Sequence, residues 1–212
     1  MKKSKTTQLV LSLIFIALFI LWTVIVKFAF VEQIGPNGTN VGLATINGFV
    51  SARIGVNYFL YNLTDWLSII AILVAFFYAV LGLVQWIKRK SILKVDKSVL
   101  MLGAYYMVLI AVYLLFEFVV INYRPVLLQG YLEASYPSST TLLIASIMPT
   151  SIIELRTRTK ARLKNVLTIL IALFTALMII GRTLSGVHWL SDIIGGVLIS
   201  TGLVFGYSFL IK

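Results

Sequence analysis

The residues best suited to chemistry lie near the carboxyl end, where the sole histidine, His188, stands six positions after Arg182 and four before Asp192. Read as a helix, a spacing of four puts His188 and Asp192 on one face. The carboxylate can then accept a hydrogen bond from imidazole Nδ1 and leave Nε2 free to attack. Arg182 closes an apolar run, where a guanidinium requires an anionic partner, and a phosphate is one such partner. A plainer reading of the same residues is a polar helix start capped by Asp192, with His188 packed beside it.

Two more clusters carry suitable groups. In Asn122-Tyr123-Arg124-Pro125, which follows the third apolar run, Arg124 either anchors a helix end at the headgroups or holds an anion, and Pro125 redirects the chain. Tyr136-Pro137-Ser138-Ser139-Thr140-Thr141 leads into the fourth run. Small hydroxyl residues and free N–H groups at a helix start either form an anion site or simply cap the helix.

The scaffold that must position these groups is read from composition. The 212 residues are 60% hydrophobic and 12% charged, with a mean hydropathy of +1.01. Soluble domains are about 45 to 50% apolar, so a water-soluble chain is excluded. Apolar runs fall at about 9–30, 64–87, 99–121, 141–154, 166–181 and 193–211, against the roughly 20 residues that cross a bilayer. The fourth and fifth are short and need support from neighbouring helices. The first run, after Lys2, Lys3 and Lys5, is too long for a signal peptide and precedes no small-x-small cleavage pattern, so it is expected to stay as a span. The expected fold is all-α, a single domain over residues 1–212 built as a six-transmembrane-helix bundle.

A net charge of +11 in a soluble chain would suggest nucleic acid. Here the basic residues sit between spans, so no nucleic-acid partner is expected; they mark topology and contact anionic membrane lipids. With the amino terminus inside, only Lys27, Arg53, Arg124 and Arg182 of the 18 lysines and arginines fall outside. Both termini are therefore expected in the cytoplasm. Segments 31–61, 123–140 and 182–192 then share the outer face and can meet in one site. In the first of them, Gly35-Pro36-Asn37-Gly38 signals a turn, and 49–60 reads as an interfacial helix or a plain connector. Without cysteine and with one histidine, the chain has no disulfide, thiolate nucleophile or multi-histidine metal site, and no cofactor is expected.

Together the three clusters resemble the type 2 phosphatidic acid phosphatase superfamily, which includes bacterial lipid phosphate phosphatases. Its motifs, Lys-x6-Arg-Pro, Pro-Ser-Gly-His and Ser-Arg-x5-His-x3-Asp, correspond to Glu117-x6-Arg124-Pro125, Pro137-Ser138-Ser139-Thr140 and Gly181-Arg182-x5-His188-x3-Asp192. The resemblance implies a multi-pass protein of the bacterial cytoplasmic membrane that hydrolyses a lipid phosphate at its outer face. It also implies His188 as the nucleophile forming a phosphohistidine and Asp192 as the residue orienting it. Arg124 and Arg182 would hold the phosphoryl oxygens, Ser138 and the backbone near Ser139 would complete the cradle, and no metal would be required.

Two positions depart from the pattern. Glu117 replaces the first lysine. Placed about 10 Å along the same helix face as Arg124, it is expected to be protonated or paired with Arg124 or Arg182. Thr140 replaces the histidine that protonates the leaving group, a service worth about 10²- to 10⁴-fold. A phosphate leaves more readily than an alkoxide, which favours a lipid diphosphate such as undecaprenyl diphosphate. Otherwise Glu117, Glu133, Tyr123 or Tyr136 must deliver the proton. Phosphoryl transfer between lipids and phospholipid binding without turnover remain alternatives. A transporter fits less well, because the polar residues gather at one surface rather than along a path through the bilayer.

Overall fold

The computed structural model describes residues 2–158 and 161–212; Lys160, one of the basic topology residues, lies outside them. Among the described residues the regular elements are helices: α1 (Lys2–Phe28), α2 (Ala44–Ile54), α3 (Tyr58–Arg89), α4 (Lys97–Phe118), α5 (Ser139–Arg158), α6 (Ala161–Leu184) and α7 (Leu190–Ile211). Isolated bridges such as Glu32 to Val41 and Tyr123 to Ala134 brace the loops. Five stretches, Lys5–Phe28, Tyr58–Arg89, Lys97–Phe118, Leu163–Leu184 and Leu190–Ile211, are long and apolar enough to cross a membrane. The chain is thus an all-helical, multi-pass membrane protein.

Helix α5 is of a different kind. It has 20 residues, includes Pro149 and carries several hydroxyls and Glu154, yet at 1.5 Å per residue it is about 30 Å long. Its polarity is tolerated because it packs against α3, α4, α6 and α7 rather than facing lipid. Leu142, Ile144, Ile147 and Met148 are buried in the core with Phe19, Leu109 and Met178. The apolar run 141–154 is shorter than the helix because the helix ends are polar.

Two expectations on the loops are corrected. Helix α4 stops at Phe118, where Val119 takes a non-helical ψ of 81°. Glu117 and Arg124 therefore do not share a helix face. The segment 49–60, read as an interfacial helix or a plain connector, is divided: its first part belongs to α2, closed by Gly55 with φ +66°, and its last part opens α3. Asn57 then caps α3, its side chain accepting from Leu60 N. Pro36–Gly38 forms a tight 3-10 turn, as its glycines and proline suggest.

Helix α7 is the spine of the bundle. Its Gly195, Gly196, Gly202 and Ser200 are buried, and small residues allow close approach of helices where lipid provides no hydrophobic drive. Ser12 Oγ on α1 donates to Gly202 O at 2.8 Å. At the end of the bundle where α3 passes into α4, Asp96 accepts from Gln85, Arg89 and Arg158 at 2.9, 2.9 and 3.1 Å. Hydrogen bonds from Arg89, then Gln85, hold its carboxyl down at about 2. Arg158 also bonds the fully buried Glu154, which receives Ser98 Oγ and the Tyr207 hydroxyl as well. This network joins α3, α4, α5 and α7. Replacing Glu154 by Leu takes the shared acceptor from Ser98 Oγ and Arg158 Nε and leaves the Tyr207 hydroxyl with only Ser98 O, at 3.2 Å, among the described residues. A buried donor left without its acceptor costs about 1 to 3 kcal/mol. Thermal unfolding in detergent should show a clearly lower Tm; an unchanged Tm would remove the network's role.

Candidate active site

The opposite end of the bundle is held together by polar contacts among three loops. The turn before His188 contains Gly186 at φ +67°, where a Cβ would sit 1.8 Å from Gly55 O, so only glycine fits. Asn57 N donates to Ser185 O at 2.9 Å and Trp189 Nε1 to Tyr123 O at 2.7 Å. Asn47 grips the start of α7, accepting from Ser191 N at 3.1 Å and donating to Ser191 Oγ at 2.9 Å. Asn122 Oδ1 receives Gly42 N at 3.2 Å, and Ser138 N donates to Asp192 O at 3.1 Å. Segments 31–61, 123–140 and 182–192 thus meet at one end.

There, Arg124 Nη1 lies 2.9 Å from His188 Nε2. A guanidinium can only donate, so Nε2 must be the acceptor and the proton of the neutral imidazole resides on Nδ1. His188 is only 5% exposed. Burial, reinforced by the charges of Arg124 and Arg182, holds its pKa well below the ordinary 6.5. The imidazole is uncharged, with its Nε2 lone pair directed at the Arg124 guanidinium.

Asp192 Oδ2 lies 3.7 Å from His188 Nδ1, beyond hydrogen-bond reach. It accepts instead from Trp189 N at 2.9 Å, capping α7. His188 precedes the helix rather than occupying it, which is why the helical-face geometry is not realised. Nδ1 has no hydrogen-bond partner among the described residues. The cap and the imidazole neighbour are one carboxylate.

A cavity of about 230 Å³ opens beside His188, lined also by Arg124, Glu117, Glu133, Tyr136 and Ser139. Glu133 holds Arg124 Nε at 3.0 Å. Of the motif serines, Ser139 lines the cavity. Ser138 is buried and accepts from Thr141 Oγ1 at 3.1 Å. Thr140 is buried and outside the lining. Arg182, 1% exposed, stands outside the lining too, with Nη1 3.4 Å from both Tyr61 O and Thr64 Oγ1 and 3.9 Å from Asp65. Its Nε has no partner among the described residues. Of the four candidate proton donors, Tyr136 is bonded to Thr23 at 2.7 Å, and burial pushes its hydroxyl above its usual range. Glu133 is committed to Arg124, and Tyr123 is not in the lining. Glu117 is the remaining carboxyl that faces the cavity. Sequence reasoning missed Asn47 and Asn122 as organisers of the site. Asn122 adjoins Arg124, but nothing local distinguishes Asn47.

Residues 116–211 match the family model of the PAP2 superfamily. That match supports membership of the superfamily. Its fold is similar to that of a transmembrane PAP2-type phosphatidylglycerolphosphate phosphatase from Bacillus subtilis, known from a crystal structure. The TM-score is 0.64 at 16% identity, over 93% of this chain and 94% of that one. None of the curated proteins matches this chain in sequence. The matched PAP2 segment holds Arg124, Ser139, His188 and Asp192, so the family's sequence signal coincides with the assembled cavity.

With a single histidine, the site can be read by NMR. A histidine-labelled sample should show a neutral imidazole protonated on Nδ1 at pH 6.5, charging only well below that. Because the unfolded chain takes up this proton first, the group's contribution to stability is complete above about 6.5 and fades as pH falls through the folded-state value. An imidazolium already present at pH 6.5 would contradict the buried, arginine-capped geometry.

Proposed function

We propose that the protein is a lipid phosphatase that works through a phosphohistidine. The observation that carries this is the neutral Nε2 of His188 set against Arg124 beside a cavity large enough for a phosphoryl group. A lipid phosphate entering the cavity takes the donors of Arg124 from His188 and Glu133. Nε2 then attacks phosphorus in line; the P–N bond forms as the P–O bond to the leaving group breaks. Arg124, with Arg182 behind it, stabilises the charge on the equatorial oxygens. Asp192, next to Nδ1, offsets the charge that the imidazole gains. Ser139 and the start of α5 complete the cradle, with Ser138 beneath them. Water cleaves the phosphohistidine and restores the neutral ring. No metal takes part in this scheme.

Lipid diphosphates, undecaprenyl diphosphate first among them, suit this cavity best, because Thr140 contributes no acid and a departing phosphate needs little help. Glu117 faces the space where the leaving group would lie. The distribution of basic residues supports cytoplasmic termini, α5 as a sixth span and a site on the outer face of the bacterial cytoplasmic membrane. Phospholipid binding without turnover is the second reading, favoured by the place of Thr140 outside the cavity.

Purified protein should release phosphate from undecaprenyl diphosphate faster than from phosphatidic acid or phosphatidylglycerol phosphate, and His188→Ala should abolish release and acid-labile labelling of the protein. Faster turnover of phosphatidic acid would refute the diphosphate preference. A silent wild type beside an active Glu117→Lys, Thr140→His double variant would establish the binding role. Since half-exposed Glu133 competes with phosphate for Arg124, Glu133→Gln should lower KM by about two- to fivefold, the scale of a solvent-screened ion pair. A raised KM would show that Glu133 holds Arg124 in its productive position instead.

A further inference from the structure

The cavity at His188 is the end of a longer track. Tyr113, Ser139 and Leu142 line both that cavity and an apolar hollow of about 420 Å³ between α3, α4 and α5. Ala79 and Tyr106 line both this hollow and a second one of about 280 Å³ between α3 and α4, walled further on by Trp86, Val99 and Gly103. The three spaces therefore adjoin in a row, with these shared residues at their borders. The lining changes along the way: the cavity carries Glu117, Arg124, Glu133 and His188, whereas the two hollows hold no charged residue.

The dimensions relate the track to the bilayer. From Glu117 to Val99 along α4 is about 27 Å, close to the roughly 30 Å of hydrocarbon in a membrane. Tyr106, where the two hollows join, lies about 17 Å from Glu117, near the midplane. The first hollow is therefore as deep as one leaflet, and the second lies in the other leaflet. A glycerolipid with its headgroup at His188 has acyl chains that end at the midplane. Only a longer chain enters the second hollow.

We infer that the α3/α4 track is a binding site for the substrate's single isoprenoid tail, and that its far half, between Ala79 and Trp86 on one side and Val99 and Tyr106 on the other, selects chains long enough to pass the midplane. This rests on the lipid phosphatase reading and sharpens it. The head is recognised by Arg124 and His188, whereas the tail is recognised by length. The shared border at Tyr113, Ser139 and Leu142 commits the track to the substrate's own tail, because a bulk lipid lying in it would close the approach to Ser139 and Leu142.

Gly103 gives a clean test. Gly103 lines the far hollow and a Cβ there meets nothing within 4 Å, so a larger side chain can be started from this position, and glycine is in any case a poor helix former. The readout is the ratio of kcat/KM for undecaprenyl diphosphate to that for farnesyl diphosphate, whose short tail stays in the near half. Gly103→Phe should lower this ratio by about tenfold or more, the loss expected when a few buried CH₂ groups are shut out. Ala75→Phe, in the near hollow, should instead impair both substrates. An unchanged ratio in Gly103→Phe, or a wild type indifferent to tail length, overturns the inference while phosphate release from farnesyl diphosphate upholds the phosphatase. Failure of the wild type on every phosphate lipid overturns the phosphatase reading, and this one with it.

Discussion

The hydrogen bond from Arg124 to His188 is the contact on which the rest of the site depends. A guanidinium has no acceptor and does not give up its proton, so its approach to Nε2 dictates the tautomer and the charge of the ring in one step. It requires the loop after α4 to be pressed on the turn before α7. Glu133 holds that loop twice, through its carbonyl to Arg124 N and its carboxylate to Arg124 Nε. Trp189, reaching Tyr123 O, closes the same seam from the other side.

Holding two irregular loops at a membrane surface leaves many backbone groups to satisfy, and side-chain amides do much of this. Asn47 and Asn122 each bond the backbone of a segment distant in sequence. They can do so because α2 folds back across the top of α7. The cost of placing polar groups near hydrocarbon is also met at the other end of the bundle, where Asp96 and Glu154 share the arginines and hydroxyls of four helices. Between these two polar ends lies α5, too polar to face lipid and sheltered by the more apolar spans.

The departures from the superfamily pattern take on a spatial meaning. Thr140 is not simply a weaker acid in the place of a histidine; it is buried away from the cavity lining. Glu117 faces the cavity, although α4 ends one residue later and no helix face links it to Arg124. The cavity therefore has Arg124 as its lining arginine, with Glu117 and Glu133 in the same wall, and it borders an apolar hollow.

Much was legible in the sequence because it is dictated locally. Apolar length and the clustering of charge define membrane helices without regard to partners, and the Arg182 to Asp192 spacing marks the segment that brings His188 to the cavity. Where the signal depends on what a residue packs against, the sequence was silent or misleading. The run 141–154 understated α5 because buried polar helix ends look like loop. Position 188 was read as helical although Asp192 caps a helix that begins after it. That Asn47 grips Ser191, that Arg182 stands outside the cavity wall, and that an apolar hollow between α3, α4 and α5 borders the cavity were decided by tertiary structure alone. Each is a contact between residues remote in sequence, and no local rule of spacing or periodicity encodes such a meeting.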